Sequence, residues 1–330
     1  MSSPQDNVVS GKQVSQLPAI YRKPGDTVFK FLILFMSGVI IFLALGMGVI
    51  LWIEGAPTFS KFGYWDFLVG TKWDPIAQIH GALPFIIGTF VTSLGAIILA
   101  IIPAIGVAIF VSEFAPKWLA ELINYTVDLL AAIPSVVIGL WAIFNFAPVM
   151  REFLLDPIFL WAEENANWLL PFIGPNGPST YNLFSATIIL ALMIVPYTVA
   201  LARDAINLVP REQREAAWAL GATRWEVLEM AVLPYATSGI IAGVLLSLAR
   251  ALGETMAVAM LIGNSNRLPL TLFGPAATMP SLIINEFREA VEEIHLTSLM
   301  AVGFYLFVIT IVMNLLATYI QKRLIKGRTL

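Results

Sequence analysis

Six apolar runs, each long enough to cross a lipid bilayer, dominate this 330-residue chain and leave it few folds to adopt. Spanning the hydrocarbon core takes about 20 consecutive apolar residues. The runs are Phe31–Ile53, Leu83–Val111, Leu129–Phe146, Leu183–Ala202, Tyr235–Gly263 and Leu296–Ile320. Lipid offers the backbone no hydrogen-bond partner, so each run must satisfy its own polar groups, and a helix does so. The expected fold is an all-α membrane protein with six transmembrane helices. Pro103 bends the second run and Pro134 interrupts the third; both are tolerated where neighbours meet the freed carbonyl.

Composition agrees. The chain is 58% hydrophobic, 12% charged and has a mean hydropathy of +0.82, where a soluble domain carries about 25% charged residues. The net charge of -3 gives no basic field for nucleic acid. With no cysteine, disulfides, thiolate metal sites and cysteine nucleophiles are excluded. Residues 1–28 read as a polar tail, followed by a first transmembrane helix over 29–53. A core of five further helices is expected over 83–320, with a second tail at 321–330. The first apolar run is too long for a signal-peptide core and lacks a small-residue cleavage site, so it reads as retained.

Lysine and arginine set orientation. With the N-terminus inside, the inner segments hold 13 of them and the outer segments 5, with Arg250 left inside a span. Both termini are therefore expected in the cytoplasm. The outer segment 147–182, with Trp161, Trp168 and "GPNGPSTYN", reads as an interfacial helix and loop that can also dock an external partner.

The inner loop Val209–Pro234, "VPREQREAAWALGATRWEVLEMAVLP", has its own structure. Pro210 suits a first helical turn. Gly221 suits a helix C-terminus. Thr223 and Glu226 form a capping box that starts a second short helix. Pro234 is expected to break the chain before the fifth run. The two short helices expose Glu, Arg, Trp218 and Trp225, as a surface-lying pair or a docking surface would.

"EAAWALG" followed by "AVLP" resembles the EAA signature of permease subunits of bacterial and archaeal ABC importers. The matching positions are Glu215, Ala216, Ala217, Gly221, Leu233 and Pro234. Ala231 departs from the family's usual isoleucine. The resemblance implies the type I (MetI-like) permease fold, and a coupling helix at Glu215, Ala216, Ala217 and Gly221 that docks into an ATPase subunit.

The fifth run holds "LSLARALGETMA". Arg250 and Glu254 stand at i and i+4 and are expected to share one helix face. A central charge costs about 2.5–3.5 kcal/mol to insert, so such residues face a bundle interior or an aqueous path. Ala249, Gly253 and Ala257 form a small-residue ladder beside them, suited to close helix contact. The pair reads either as a structural ion pair or as an anion site, where the arginine fork matches a tetrahedral oxyanion. Glu254 would then hold Arg250 or accept the proton of hydrogen phosphate.

"RALGETMAV" and "AAIPSVVIGLW" are similar to motifs of the phosphate-specific ABC importer permeases, the PstC type more than the PstA type. Permeases for molybdate or sulfate share the Ala-Leu-Gly-Glu core, and another tetrahedral oxyanion is the alternative substrate. The resemblance implies phosphate import across a prokaryotic plasma membrane, with Arg250, Glu254, Thr255 and Ser135 on the path. It also implies a homologous PstA-like permease, a PstB-like ATPase dimer and a PstS-like phosphate-binding protein as partners. Ile133-Pro134-Ser135 breaks the third run, and the exposed amides of a half-helix attract anions. Asp128 reads as interfacial or coupling-side.

An intramembrane enzyme is disfavoured. His80 and His295 fall in outer loops and read as solvent or interface residues. There is no H-E-x-x-H and no G-x-S-x-G, no metal or other cofactor is expected, and no phosphate loop is present, so ATP hydrolysis would come from a partner. An ion-driven transporter is the nearer rival, but it would not need the two-helix loop.

Overall fold

The computed structural model describes the backbone of residues 24–326 and the side chains of residues 28–323. Of the tail expected at 1–28, residues 1–23 fall outside the described residues and 24–28 already belong to the first helix; of that expected at 321–330, residues 327–330 fall outside and 321–326 continue the last helix. The chain divides at Ile50/Leu51 into an N-terminal unit and a larger unit that carries the rest. Helix α1 (Pro24–Phe62) runs through the division, and its residues 28–50 are apolar and exposed on nearly every face.

The larger unit continues with α2 (Tyr64–Val69) and the long α3 (Leu83–Phe114), whose last turn, Phe110–Phe114, is a π-turn. Next come α4 (Lys117–Ala132) and α5 (Ser135–Asn165), then α6 (Leu183–Asn207) and the short α7 (Arg211–Ala219). Helix α8 (Arg224–Leu252) is followed by α9 (Met256–Leu261), α10 (Met279–Glu286) and α11 (Glu293–Lys326). Among the described residues, six helices are long and apolar enough to span a bilayer: α1, α3, α5, α6, α8 and α11.

Two spans depart from the sequence expectation. The third run was placed at Leu129–Phe146, but it is two helices: α4 ends at Ala132, and Ile133 and Pro134 are extended, with ψ of 127° and 136°. Proline forces its predecessor out of the helical region, so the span starts at Ser135. It runs on to Asn165 through two π-turns and takes in most of the segment read as an outer interfacial helix. The fifth span starts earlier than expected and continues through Pro234 instead of breaking there. The π-turn Leu228–Val232, closed by the Leu233 amide on the Leu228 carbonyl, precedes Pro234 and absorbs its missing donor. That span then ends at Leu252, short of the expected Gly263.

Helix α6 is the hub. It packs along α3, crosses α8 and touches α4 and α9. Its buried Leu190 and Ile194 centre one apolar cluster with Ala96, Ala142, Ala257 and Leu261. Val199, Ala202 and Ile206 centre a second with Ala108, Ala217, Val227 and Val232. The crossing with α8 is close because the latter presents Gly239, Gly243 and Ser247 at four-residue spacing. A Cβ on Gly239 would lie 2.6 Å from Ala205 Cβ, and one on Gly243 2.8 Å from Leu201 Cβ. Thr198 donates to Ser247 Oγ at 2.8 Å across the same crossing. Small residues permit such approach in membranes, and interhelical hydrogen bonds add about 0.6 kcal/mol each.

Since α3, α5, α6, α8 and α11 cross in alternation, the α3–α5 connection, the α6–α8 connection and the end of α11 share one side. This is called the loop side below.

Candidate functional site

The α6–α8 connection folds largely as its residues dictate. Pro210 caps α7 with extended backbone. Gly221 has φ +82°, the left-handed region that a side chain disfavours, so the chain turns sharply there. Thr223 accepts from the Glu226 amide, while Glu226 Oε2 accepts from the Thr223 amide at 2.7 Å, closing the capping box. Of the four coupling residues expected from the sequence, Glu215, Ala216 and Gly221 are exposed, while Ala217 is buried in the loop-side cluster. Trp218 and Trp225 are 50% and 59% exposed and Leu220 is 90% exposed, among exposed Arg211, Glu212, Glu215 and Arg224, so the loop's outer face mixes large apolar side chains with charges. Large aromatic side chains exposed beside charges are the composition of a protein interface.

Residues that the sequence reading passed over fasten this loop. The Arg214 guanidinium is bound at three points. Its Nη2 donates to Glu113 Oε1 at 2.9 Å and to the Ile206 carbonyl at 3.0 Å, and its Nη1 donates to the Val209 carbonyl at 2.5 Å. Both members of the ion pair are only 14% exposed. Leaving either charge buried without the other costs about 3–5 kcal/mol. The only signal in the sequence was a glutamate near the end of an apolar run, with no indication of its partner 101 residues away. Nearby, Arg203 donates to Asn124 Oδ1 at 2.9 Å and lies 3.8 Å from Asp128, tying α6 to α4. Asp128 therefore sits on the loop-side helix that precedes the break.

The charged motif of the fifth span is arranged differently from the expectation. Helix α8 stops at Leu252, and Gly253–Thr255 form a break before α9. Arg250 ends one helix and Glu254 lies in the break, so they do not share a continuous helical face. Among the described residues neither makes an ion pair. The Arg250 guanidinium lies instead over the ring of Tyr197 on α6, 5.2 Å from its centroid. The ladder Ala249–Gly253–Ala257 is likewise divided by the break. Thr255 Oγ1 donates to the Gly253 carbonyl at 3.1 Å, which holds the break closed on itself. Gly253 and the β-branched Thr255 are weak helix formers, but only packing decides that the helix stops there.

Helices α5 and α9 are neighbours: a Cβ on Gly139 would lie 3.1 Å from Ala257 Cα. One span separates α5 from α8, so α5 and the α8–α9 segment cross in the same direction. Gly139 is four residues beyond Ser135, and Ala257 is four beyond Gly253. The two helix breaks therefore lie at the same level: Ser135 begins α5, and Glu254 lies in the break just before α9. Arg250 is exposed in the isolated chain, while Glu254, Thr255 and Ser135 are partly exposed. A cation at membrane depth does not face lipid; it faces a polar path or another subunit. The arrangement presents a guanidinium fork, a hydroxyl and helix-break amides, all suited to an oxyanion.

The two histidines are a correction. His80 and His295 are not solvent residues: they are 3% and 7% exposed, with rings stacked at 5.7 Å. His295 Nε2 is 2.9 Å from Glu286 Oε2, which also accepts from Trp73 Nε1 at 2.8 Å, while Asn266 donates to Oε1 at 2.9 Å. His80 has no hydrogen-bond partner on either nitrogen. Burial first, then the His295 and Lys61 charges, pushes its pKa down to about 4. This cluster lies opposite the loop side and ties the connection 63–82 to α10 and α11. Among the described residues, no group of His, Cys, Asp and Glu is placed to hold a metal ion.

Residues 104–326 match the family of binding-protein-dependent transport system inner membrane components. The phosphate transport system permease protein PstC of Pasteurella multocida is 40% identical over 270 residues, covering 81% of this chain and 83% of that protein. The protein of the same name from Mesorhizobium japonicum is 39% identical over 280 residues, 84% of each. PstC 2 of Mycobacterium tuberculosis is 34% identical over 312 residues, 92% of this chain and 94% of that one. A chain of a bacterial alginate ABC transporter superposes with a TM-score of 0.58 at 16% identity, over 91% of this chain and 95% of that one. A chain of the MetNI methionine ABC transporter gives 0.54 at 14% identity, over 78% and 99%. The last two establish the MetI-like permease fold.

Proposed function

Because the chain belongs to the family of binding-protein-dependent transport system inner membrane components, we propose that it is the PstC-type permease subunit of an ATP-driven importer of inorganic phosphate. The observation that carries this reading is the 40% identity with a phosphate transport permease over four-fifths of the chain. The chain is a transport permease and not an enzyme; ATP hydrolysis belongs to a separate subunit.

The finer assignments are our reading. The loop side faces the cytoplasm, which puts both termini there, and the described cations Lys117, Arg203, Arg211, Arg214, Arg224, Lys322 and Arg323 support it. Glu215, Ala216, Ala217 and Gly221 meet a PstB-like ATPase, supported by the exposure of Trp218 and Leu220 beside them. A PstA-like permease covers the face that exposes Arg250. A PstS-like binding protein delivers phosphate on the opposite side. Arg250, Glu254, Thr255 and Ser135 line the path. Closure of the ATPases moves the docking loop, and with it α8, whose first turn belongs to that loop. Rocking of the two permeases then opens the paired helix breaks to either side in turn.

The test is radiolabelled phosphate uptake, with sulfate and molybdate in parallel, in cells deleted for their own system. Arg250→Gln that assembles with its partners should lose phosphate uptake. If the assembled variant transports phosphate normally, Arg250 is not on the path. Preferential uptake of sulfate or molybdate by the wild type would transfer the assignment to that anion.

A further inference from the structure

The docking loop meets the spans in two ways. Toward α8 the connection is covalent and stiff, since the helix begins at Arg224 and runs unbroken through Leu252. Toward α6 it is a short non-helical stretch, Leu208–Pro210, and at Gly221 it is another sharp turn. Helix α7 therefore hangs between two bends, and of its nine residues only Ala217 is buried. A cleft of about 670 Å³, lined by Ser112, Glu113, Asn207, Trp218 and Arg224 among others, separates α7 from the end of α3. A helix held this loosely would swivel when pushed and pass little of the displacement on.

Arg214 bridges that cleft. Its rigid, planar fork joins α7 to the Glu113 carboxylate in the terminal π-turn of α3 and to the Ile206 carbonyl in the last turn of α6, and also binds the Val209 carbonyl within the bend between α6 and α7. All three bonds are partly buried, so salt screens them less than it screens a pair on the open surface. Arg214 stands next to Glu215, the exposed residue that we assign to the ATPase. Resting on that reading, we propose that Arg214 is a positioning residue that carries displacement of the docking helix into α3 and α6. The ATPase stroke then enters the permease through three spans rather than through α8 alone. Since α6 bears Tyr197, which faces Arg250, the tie gives the stroke a direct mechanical route to the helix breaks.

The experiment uses the assembled importer, with both permeases, the ATPase subunits and the binding protein, in lipid nanodiscs. It measures the ratio of ATPase activity with phosphate-loaded binding protein to activity without it. Arg214→Gln should assemble and lose about tenfold in this ratio, within the range by which residues touching neither ligand alter coupling. An undiminished ratio beside a stimulated wild type overturns the tie alone. A wild type that is not stimulated overturns the importer reading and the proposal together. If Arg214→Gln does not assemble, the pair Glu113→Cys and Arg214→Cys decides, in a complex with cysteine-free partners; the wild-type chain has no cysteine of its own. A short thiol cross-linker should restore stimulation that the unlinked pair has lost. A cross-link that abolishes stimulation would show that α7 must slide against α3, and the proposal falls.

Discussion

The guanidinium of Arg250 lies 5.2 Å above the ring of Tyr197, on a neighbouring span, and is not paired with Glu254 four residues further on. The break at Gly253 removes the helical geometry that would bring the two charges together. Arg250 is thus held by an aromatic face while its donors stay available, and Glu254 is left with acceptor capacity.

From this contact follows a first prediction. A cation over an aromatic ring is stabilised by about 0.5–2 kcal/mol. Tyr197→Leu should therefore raise the KM for phosphate uptake several-fold, with assembly retained, whereas Tyr197→Phe keeps the ring and should stay close to wild type. Equal KM values for Leu and Phe would show that the ring does not position Arg250.

The turn at Gly221 supplies a second. Its φ of +82° costs an L-residue about 1–2 kcal/mol. Nothing lies within 4 Å of a Cβ there, so the effect is backbone strain and not a clash. Gly221→Val should weaken capture of the ATPase subunit by the solubilised permease, while Gly221→Asn, which tolerates the left-handed region, should lose less. Capture unaffected by valine would show that this turn is not needed for docking.

A third concerns pH. His80 has a pKa near 4 in the folded chain, against 6.5 for the free side chain. The unfolded chain therefore binds the extra proton first as pH falls, and stability is lost between about pH 6.5 and 4. Above that window His80 is neutral in both states and contributes no slope. The melting temperature of the detergent-solubilised protein should drop through this range, and His80→Phe should flatten its share of the drop. Because neither ring nitrogen has a partner, the same substitution at pH 7.5 should be neutral or stabilising. A large destabilisation by phenylalanine at that pH would reveal a polar role for the imidazole.

The crossing of α6 and α8 gives a fourth. Gly243→Val places atoms where Leu201 Cβ already sits 2.8 Å from the would-be Cβ. Overpacking of this kind costs about 1–3 kcal/mol, and the melting temperature should fall accordingly. Ser247→Ala removes only the bond from Thr198 and should cost about 0.6 kcal/mol. If the two substitutions cost the same, close backbone approach is not what holds the crossing.

The sequence by itself determined the number of spans, the structured loop between the fourth and fifth, its capping box and its glycine turn, because these depend on hydropathy over about 20 residues or on neighbours three or four positions apart. The motif residues Glu215, Gly221, Arg250 and Glu254 were legible for the same reason. The spacing Gly239–Gly243–Ser247 was equally readable and would have marked the α6 contact. Where helices stop is another matter. Pro134 breaks its run while Pro103, Pro196 and Pro234 do not, since a missing donor is tolerated wherever a π-turn or a neighbouring helix absorbs it. Only the tertiary structure decided that Arg250 meets Tyr197, that Arg214 reaches back to Glu113, and that His80 and His295 are buried together. Each of these joins residues far apart in the chain, and no local pattern records which polar group a distant segment will bring to satisfy a buried charge.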